Sequence, residues 1–229
     1  MAGQGEYNVD IVMCIDATGS MGDVINTVKT NALSFHSMFQ AAMDDADKAV
    51  DVMRVKVIVF RDYGRDGDGA MQESMFFTLP DQSDEFSAFV NGIEAKGGGD
   101  IPENALEAVA LALKSDWTTA PGKKRHVVLM FTDAPALPLG ARKDAANYPA
   151  GMPADLAELG AIWEGTADQD AMGSYLPNAG RLVVFAPNAE PWTEMAAWNR
   201  YWHCPSKAGE GCSDVDMQTV LDILVGSIG

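Results

Sequence analysis

Residues 9–23 read VDIVMCIDATGSMGD, and this stretch decides the fold. An apolar run, residues 9–15, stops at Asp16, and Thr18 and Ser20 follow at alternate positions. A run this apolar signals a strand buried on both faces, as in a parallel sheet. Similar runs occur at residues 55–60, 127–131 and 182–185. Between them lie helical patterns. Met21, Val24, Ile25, Val28, Ala32, Phe35 and Phe39 share one face, and Phe86, Phe89, Val90 and Ile93 another. Leu106, Val109, Ala110, Leu113 and Trp117 make a third, and Met217, Val220, Leu221, Leu224, Val225 and Ile228 close the chain. Alternating strands and helices predict an α/β, doubly wound, mainly parallel central sheet with helices on both faces. Residues 75–78 are expected to add one short antiparallel edge strand through the Gly-rich turn at 64–69. With 229 residues, no repeats and no linker, residues 1–229 are expected to form a single domain.

Two further segments end where a ligand would sit in such a sheet, beyond the carboxyl ends of the strands. One is KGGGDIPEN, residues 96–104, in which Asp100 opens a helix as its N-cap and Glu103 takes the capping-box position. The other is HVVLMFTDAP, residues 126–135, a strand followed by Asp133. Hard cations such as Mg²⁺ take oxygen ligands in octahedral geometry. Asp16, Thr18, Ser20, Asp100 and Asp133 supply carboxylates and hydroxyls of that kind. Plainer roles also exist: Asp16-Ala17-Thr18-Gly19-Ser20 as an ordinary strand-to-helix turn with Ser20 capping the helix, Asp100 as an N-cap, and Asp133 as the start of a turn.

These residues resemble the von Willebrand factor A (VWA) domain and its metal-ion-dependent adhesion site. The family pattern is Asp-x-Ser-x-Ser after the first strand, a Thr on a Gly-rich loop and an Asp after a later strand. Here the chain reads Asp16-Ala17-Thr18-Gly19-Ser20, Gly97-Gly98-Gly99-Asp100 and Thr132-Asp133-Ala134. The resemblance is nearest to the hemicentin-like and bacterial stand-alone branches. It implies a Rossmann-like VWA fold, a bound Mg²⁺ (or Mn²⁺, with Ca²⁺ as a further option), and binding of another protein, through an acidic side chain on the metal, rather than catalysis. It also implies Asp133 as an acid acting through water. Asp100 stands where the family has Thr, which adds a third carboxylate and lowers the charge left for an incoming acid.

Composition narrows the alternatives. The formal charge is −17, from 33 acids against 16 bases, which argues against nucleic acid because phosphates need clustered Lys and Arg. Only Lys123-Lys124-Arg125 forms a basic run. Apolar runs fall far short of the roughly 20 residues a membrane span needs, so no membrane role is expected. The N-terminal MAGQGEYNVD has no secretory pattern, which makes a cytoplasmic location the expectation. Of three cysteines, Cys14 reads as core, and Cys204 and Cys212 as free thiols.

His36, His126 and His203 have no metal spacing and are taken as structural, and no Gly-x-Ser-x-Gly elbow appears. Residues 62–73 partly match a calcium loop, but Gly64 replaces an oxygen ligand and a hairpin fits better. Trp192, Trp198 and Trp202, with Met195 and Tyr201, form a late packing cluster. Residues 134–152, rich in Ala and Pro, are irregular and are expected to overhang the metal face. Arg61 and Asp62 are expected to pair with neighbouring loops. A metal-dependent phosphate-ester hydrolase and a calcium-stabilised structural domain are the competing readings.

Overall fold

β1 (Tyr7–Asp16) runs through the middle of a seven-stranded sheet with all ten of its residues buried. The computed structural model describes residues 6–98 and 102–228. β2 (Val50–Phe60) and β5 (Lys123–Phe131) flank β1, and both run parallel to it. β6 (Gly180–Ala186) and β7 (Tyr201–Pro205) extend the sheet beyond β5, also in parallel. β3 (Met71–Glu73) and β4 (Phe77–Leu79) pair antiparallel with the outer side of β2. The expected antiparallel edge at 75–78 is thus shifted to Phe77–Leu79 and joined by a second short piece. The mainly parallel, doubly wound α/β architecture read from the sequence is the one observed.

The sheet separates two cores. Val9, Ile11, Met13 and Ile15 of β1 face one way, onto α1 (Gly22–Asn31), α2 (Phe35–Asp45), α3 (Ser83–Asn91) and the C-terminal helix. Val12 and Cys14 face the other way, onto α4 (Ala105–Leu113), α5 (Leu156–Glu164), Trp117 and Trp192. This is the period-2 alternation of a strand, hidden in the sequence because both faces are apolar. α6 (Gln169–Met172) is a single turn, and α7 (Met217–Ile228) is the C-terminal helix. Among the described residues no helix is long and apolar enough to cross a membrane.

Several helix readings need correction, beginning with Ile93, which lies beyond the end of α3 at Asn91. The apolar face from Met21 to Phe39 is broken between α1 and α2. There the Asn31 amide donates to the Thr27 carbonyl (2.8 Å) and the Ser34 hydroxyl to the Asn31 carbonyl (3.2 Å), side-chain bonds that compete with helix continuation. Trp117 lies beyond α4, with its indole N–H on the Leu113 carbonyl (3.2 Å). α4 begins at Ala105 with Asn104 in the N-cap position, so Glu103 precedes the helix instead of closing a capping box. The backbone of Glu103 is engaged in a bridge to Ala136, and the Asn104 side-chain amide oxygen, Oδ1, accepts the Tyr63 N–H (2.9 Å). Asp100 lies outside the described residues.

Candidate metal site at the carboxyl edge of the sheet

The last residue of β1, Asp16, is fully buried at the carboxyl edge. One carboxylate oxygen accepts the Thr18 backbone N–H (2.9 Å), which folds the chain into a tight turn. The other accepts the Thr132 hydroxyl from the end of β5 (2.8 Å). β1 and β5 are register neighbours, which brings Asp16 and the Thr132-Asp133 pair to one crevice. The turn places the Thr18 and Ser20 hydroxyls 3.4 Å apart, with Thr18 buried and Ser20 exposed. Asp16, Thr18 and Ser20 thus share one turn, and Asp133 stands at the same edge.

Backbone contacts fasten this turn to the Gly-rich loop. Gly19 donates to the Gly97 carbonyl (3.3 Å), and Lys96 to the Ala17 carbonyl (3.0 Å). Arg61 completes the joint from the end of β2. Its guanidinium donates to the carbonyls of Ala17 (3.0 Å), Lys96 (2.9 Å), Gly69 (2.7 Å) and Glu94 (2.6 Å). A buried arginine is satisfied here by four carbonyls, and it organises three loops at once. The expectation that Arg61 pairs with neighbouring loops holds, through their backbones.

Asp133 is held from a segment the sequence did not connect to it. Gly211 donates its N–H to the Asp133 carboxylate (2.8 Å), and Gly209 donates to the Asp133 carbonyl (2.9 Å). Gly211 adopts φ +61°, and a side chain there would collide with the carbonyl of Ser20. Only glycine lets this segment lie against the Thr18–Ser20 turn. Cys212 is buried beside it, with its thiol on the Thr132 carbonyl (3.3 Å). Cys14, Cys204 and Cys212 are all free thiols.

The 134–152 stretch does overhang this edge. Arg142 clamps it to Asp62 with a two-pronged ion pair (2.7 Å each), leaving Asp62 almost wholly buried. Burial pushes the Asp62 carboxyl up, but the Arg142 bonds and charge outweigh this and hold it below the usual range. Tyr148 stacks edge-on against Tyr63 and donates to Glu107 on α4 (2.9 Å). Residues 62–73 form a hairpin loop instead of a calcium cradle. Asp62 is taken by Arg142, the Asp66 carboxylate by the Asp62 N–H (3.3 Å), and Glu73 by Lys56 (2.7 Å).

The charge balance at the edge favours a cation. Burial pushes the Asp16 carboxyl up to about 6 despite its bonds to Thr18 and Thr132, and Asp133 adds to the rise. Burial, with Asp16, Asp62 and Asp66 nearby, pushes Glu103 up to about 8. Glu103 is the acid that sequence reasoning assigned to helix capping. Among the described residues no three His, Cys, Asp or Glu side chains alone are arranged to hold an ion. A cation here would draw on the Thr18 and Ser20 hydroxyls beside Asp16, an oxygen set that suits Mg²⁺. The residues present fit such an ion.

Comparison with known proteins agrees with the fold. A family model for the von Willebrand factor A domain matches residues 10–141. The alpha-protein kinase vwkA of Dictyostelium discoideum is 28% identical over 145 residues, covering 63% of this chain and 21% of its own length. A putative ariadne-like RING finger protein of Acanthamoeba polyphaga mimivirus is 27% identical over 127 residues, covering 56% of this chain and 11% of its own length. The chain thus spans a minor part of the relatives it matches. Among solved structures, the pilus adhesin SpaC of Lactobacillus rhamnosus GG superposes with a TM-score of 0.57 at 11% identity, covering 99% of this chain and 31% of that one. Its open conformation gives 0.52 at 14% identity.

Proposed function

Because this chain belongs to the von Willebrand factor A domain family, we propose that it is a divalent-cation-dependent protein-binding module and not an enzyme. Mg²⁺, or Mn²⁺ in its place, would be held by Asp16, Thr18 and Ser20, with Asp133 and Asp100 completing the surroundings as a metal-ion-dependent adhesion site. When bound, the cation supplies positive charge that a Glu or Asp of a partner protein can answer. The observation that carries the reading is the Asp16 carboxylate, pinned by Thr132 and Thr18 beside two hydroxyls 3.4 Å apart.

The protein's own residues do the positioning. Thr132 orients one oxygen of Asp16 and the Thr18 N–H the other. Arg61 holds the Ala17 and Lys96 carbonyls and so fixes the turn against the Gly-rich loop. The Arg142–Asp62 clamp sets the 134–152 loop as one wall of the surface a partner meets. Both arginines are committed to these tasks, so neither is available to receive a phosphate ester. The kinase and RING activities named for the relatives are not carried over.

The test is retention of partner proteins from the native source on immobilised wild type in Mg²⁺, against EDTA and against Asp16→Ala. A partner held only by wild type in Mg²⁺ supports the reading. A partner retained in EDTA overturns it, and metal-dependent ester hydrolysis abolished by Asp16→Ala would replace it with the hydrolase.

A further inference from the structure

Glu103 lies at the same edge, a buried acid whose carboxylate is only partly satisfied by the described residues. The residue is 3% exposed, and its Oε2 has no hydrogen-bond partner among the described residues. Its backbone is fixed on both sides. The Asn104 N–H donates to the Arg61 carbonyl (3.3 Å), and the Leu137 N–H to the Glu103 carbonyl (2.8 Å). The side chain is directed towards the Thr18 turn. A Cβ placed on Gly98 would stand 3.5 Å from Glu103 Oε1 and 2.7 Å from the Cβ of Thr18. Gly98, at φ +67°, is thus the spacer between the two, and a larger residue would fill the gap. The nearby basic side chain, Arg142, has its fork committed to Asp62. A buried carboxylate is unfavourable unless it is paired, hydrogen-bonded or set beside a metal.

We propose that Glu103 is a further acid of the cation site, meeting the bound ion through a water molecule on the Gly98 side. This rests on the cation-binding reading above. A water-mediated role accounts for two observations together. Among the described residues the acids of this edge are not grouped closely enough to hold an ion by themselves, and Glu103 is buried with Oε1 towards Gly98 and Oε2 without a partner among those residues. Glu103 then has opposite effects in the two states, destabilising the metal-free protein and strengthening the hold on the ion.

The experiment measures Mg²⁺ affinity by calorimetry and the melting temperature in EDTA for the full chain and four variants: Glu103→Gln, Glu103→Asp, Glu107→Gln and Asp16→Ala. Glu107 is a second buried acid with an unpartnered oxygen, one turn along α4, bonded to Tyr148. Glu103→Gln should melt higher than wild type in EDTA yet bind Mg²⁺ about tenfold or more weakly, the usual effect of removing a supporting acid. Glu107→Gln should leave Mg²⁺ affinity within about twofold, well under that loss. If Glu103→Gln instead lowers stability in EDTA, Glu103→Asp must recover most of the metal affinity, and failure to do so overturns the proposal. Wild-type affinity in Glu103→Gln, with binding lost in Asp16→Ala, overturns it while the site stands. Undiminished binding in Asp16→Ala overturns the site itself.

Discussion

Gly211→Ala probes whether the segment after β7 is built into the site. Gly211 has φ +61°, donates to the Asp133 carboxylate, and sits so close to Ser20 that a Cβ would fall on its carbonyl. Placing alanine in the left-handed region costs about 1–2 kcal/mol. Because the obstacle is backbone, the segment must lift away and take its N–H from Asp133, and a hydrogen bond to a charged group is worth about 1.5–3 kcal/mol. The combined loss is about 2.5–5 kcal/mol, or roughly 5–20 °C at about 2–4 °C per kcal/mol for a chain of this size. Gly209→Ala is the matched control. Its φ is +72°, but the space around its Cβ position is open, so only the conformational cost of about 1–2 kcal/mol applies. Thermal unfolding in EDTA, followed by circular dichroism, compares the two. Equal shifts for Gly209→Ala and Gly211→Ala would refute the claim that the segment is seated on the Thr18–Ser20 turn.

Two further outcomes follow from the ion pairs and the buried histidine. Arg142→Met leaves Asp62 buried and unpaired, and should cost about 2–3 kcal/mol in urea unfolding, below the range for wholly buried pairs because Arg142 is 35% exposed. Adding Asp62→Asn should recover part of that loss, and a strictly additive double mutant would count against the clamp. His126 accepts the Leu176 N–H at Nδ1 (3.3 Å) and places Nε2 on the Thr118 carbonyl (3.1 Å), and burial lowers it to about 4. The folded chain therefore keeps it neutral while the unfolded chain protonates near 6.5. Its contribution is whole above pH 6.5 and falls away, by up to roughly 3 kcal/mol, as the pH drops towards 4. His126→Gln should flatten the stability profile across that window, and an unchanged slope would rule the residue out as its source.

The parts of the molecule legible in the sequence are those whose signal is local. β1, β2, β5 and β6 announce themselves because strands buried on both faces read as nearly continuous apolar runs, interrupted only by Asp10 in the 9–15 run of β1 and Lys56 in the 55–60 run of β2. Asp16, Thr18 and Ser20 follow directly from the end of β1, and Asp133 from the end of β5. β7 carries no strand signal of its own, because its residues Tyr201–His203 are only half-buried and form no apolar run. α5 has no long apolar periodicity, but its caps are written in the chain. Asp155 accepts the Glu158 N–H (2.9 Å), and Gly165 ends the helix at φ +74°. What could not be read was tertiary. Gly211 reaches Asp133 across the sheet edge, Arg61 gathers four carbonyls from three loops, and Glu103 is drawn from its apparent capping role by the bridge to Ala136. Each depends on which loops the topology places side by side.

The central claim, one divalent cation held at Asp16, Thr18 and Ser20, is met most directly by thermal unfolding with and without Mg²⁺. At a Mg²⁺ concentration about a hundred times its dissociation constant, the native state gains about 2.7 kcal/mol over the EDTA sample, a rise of roughly 5–11 °C. The account predicts that rise for wild type and none for Asp16→Ala. A wild-type melting temperature that does not move between EDTA and millimolar Mg²⁺, or an equal rise in Asp16→Ala, would contradict it.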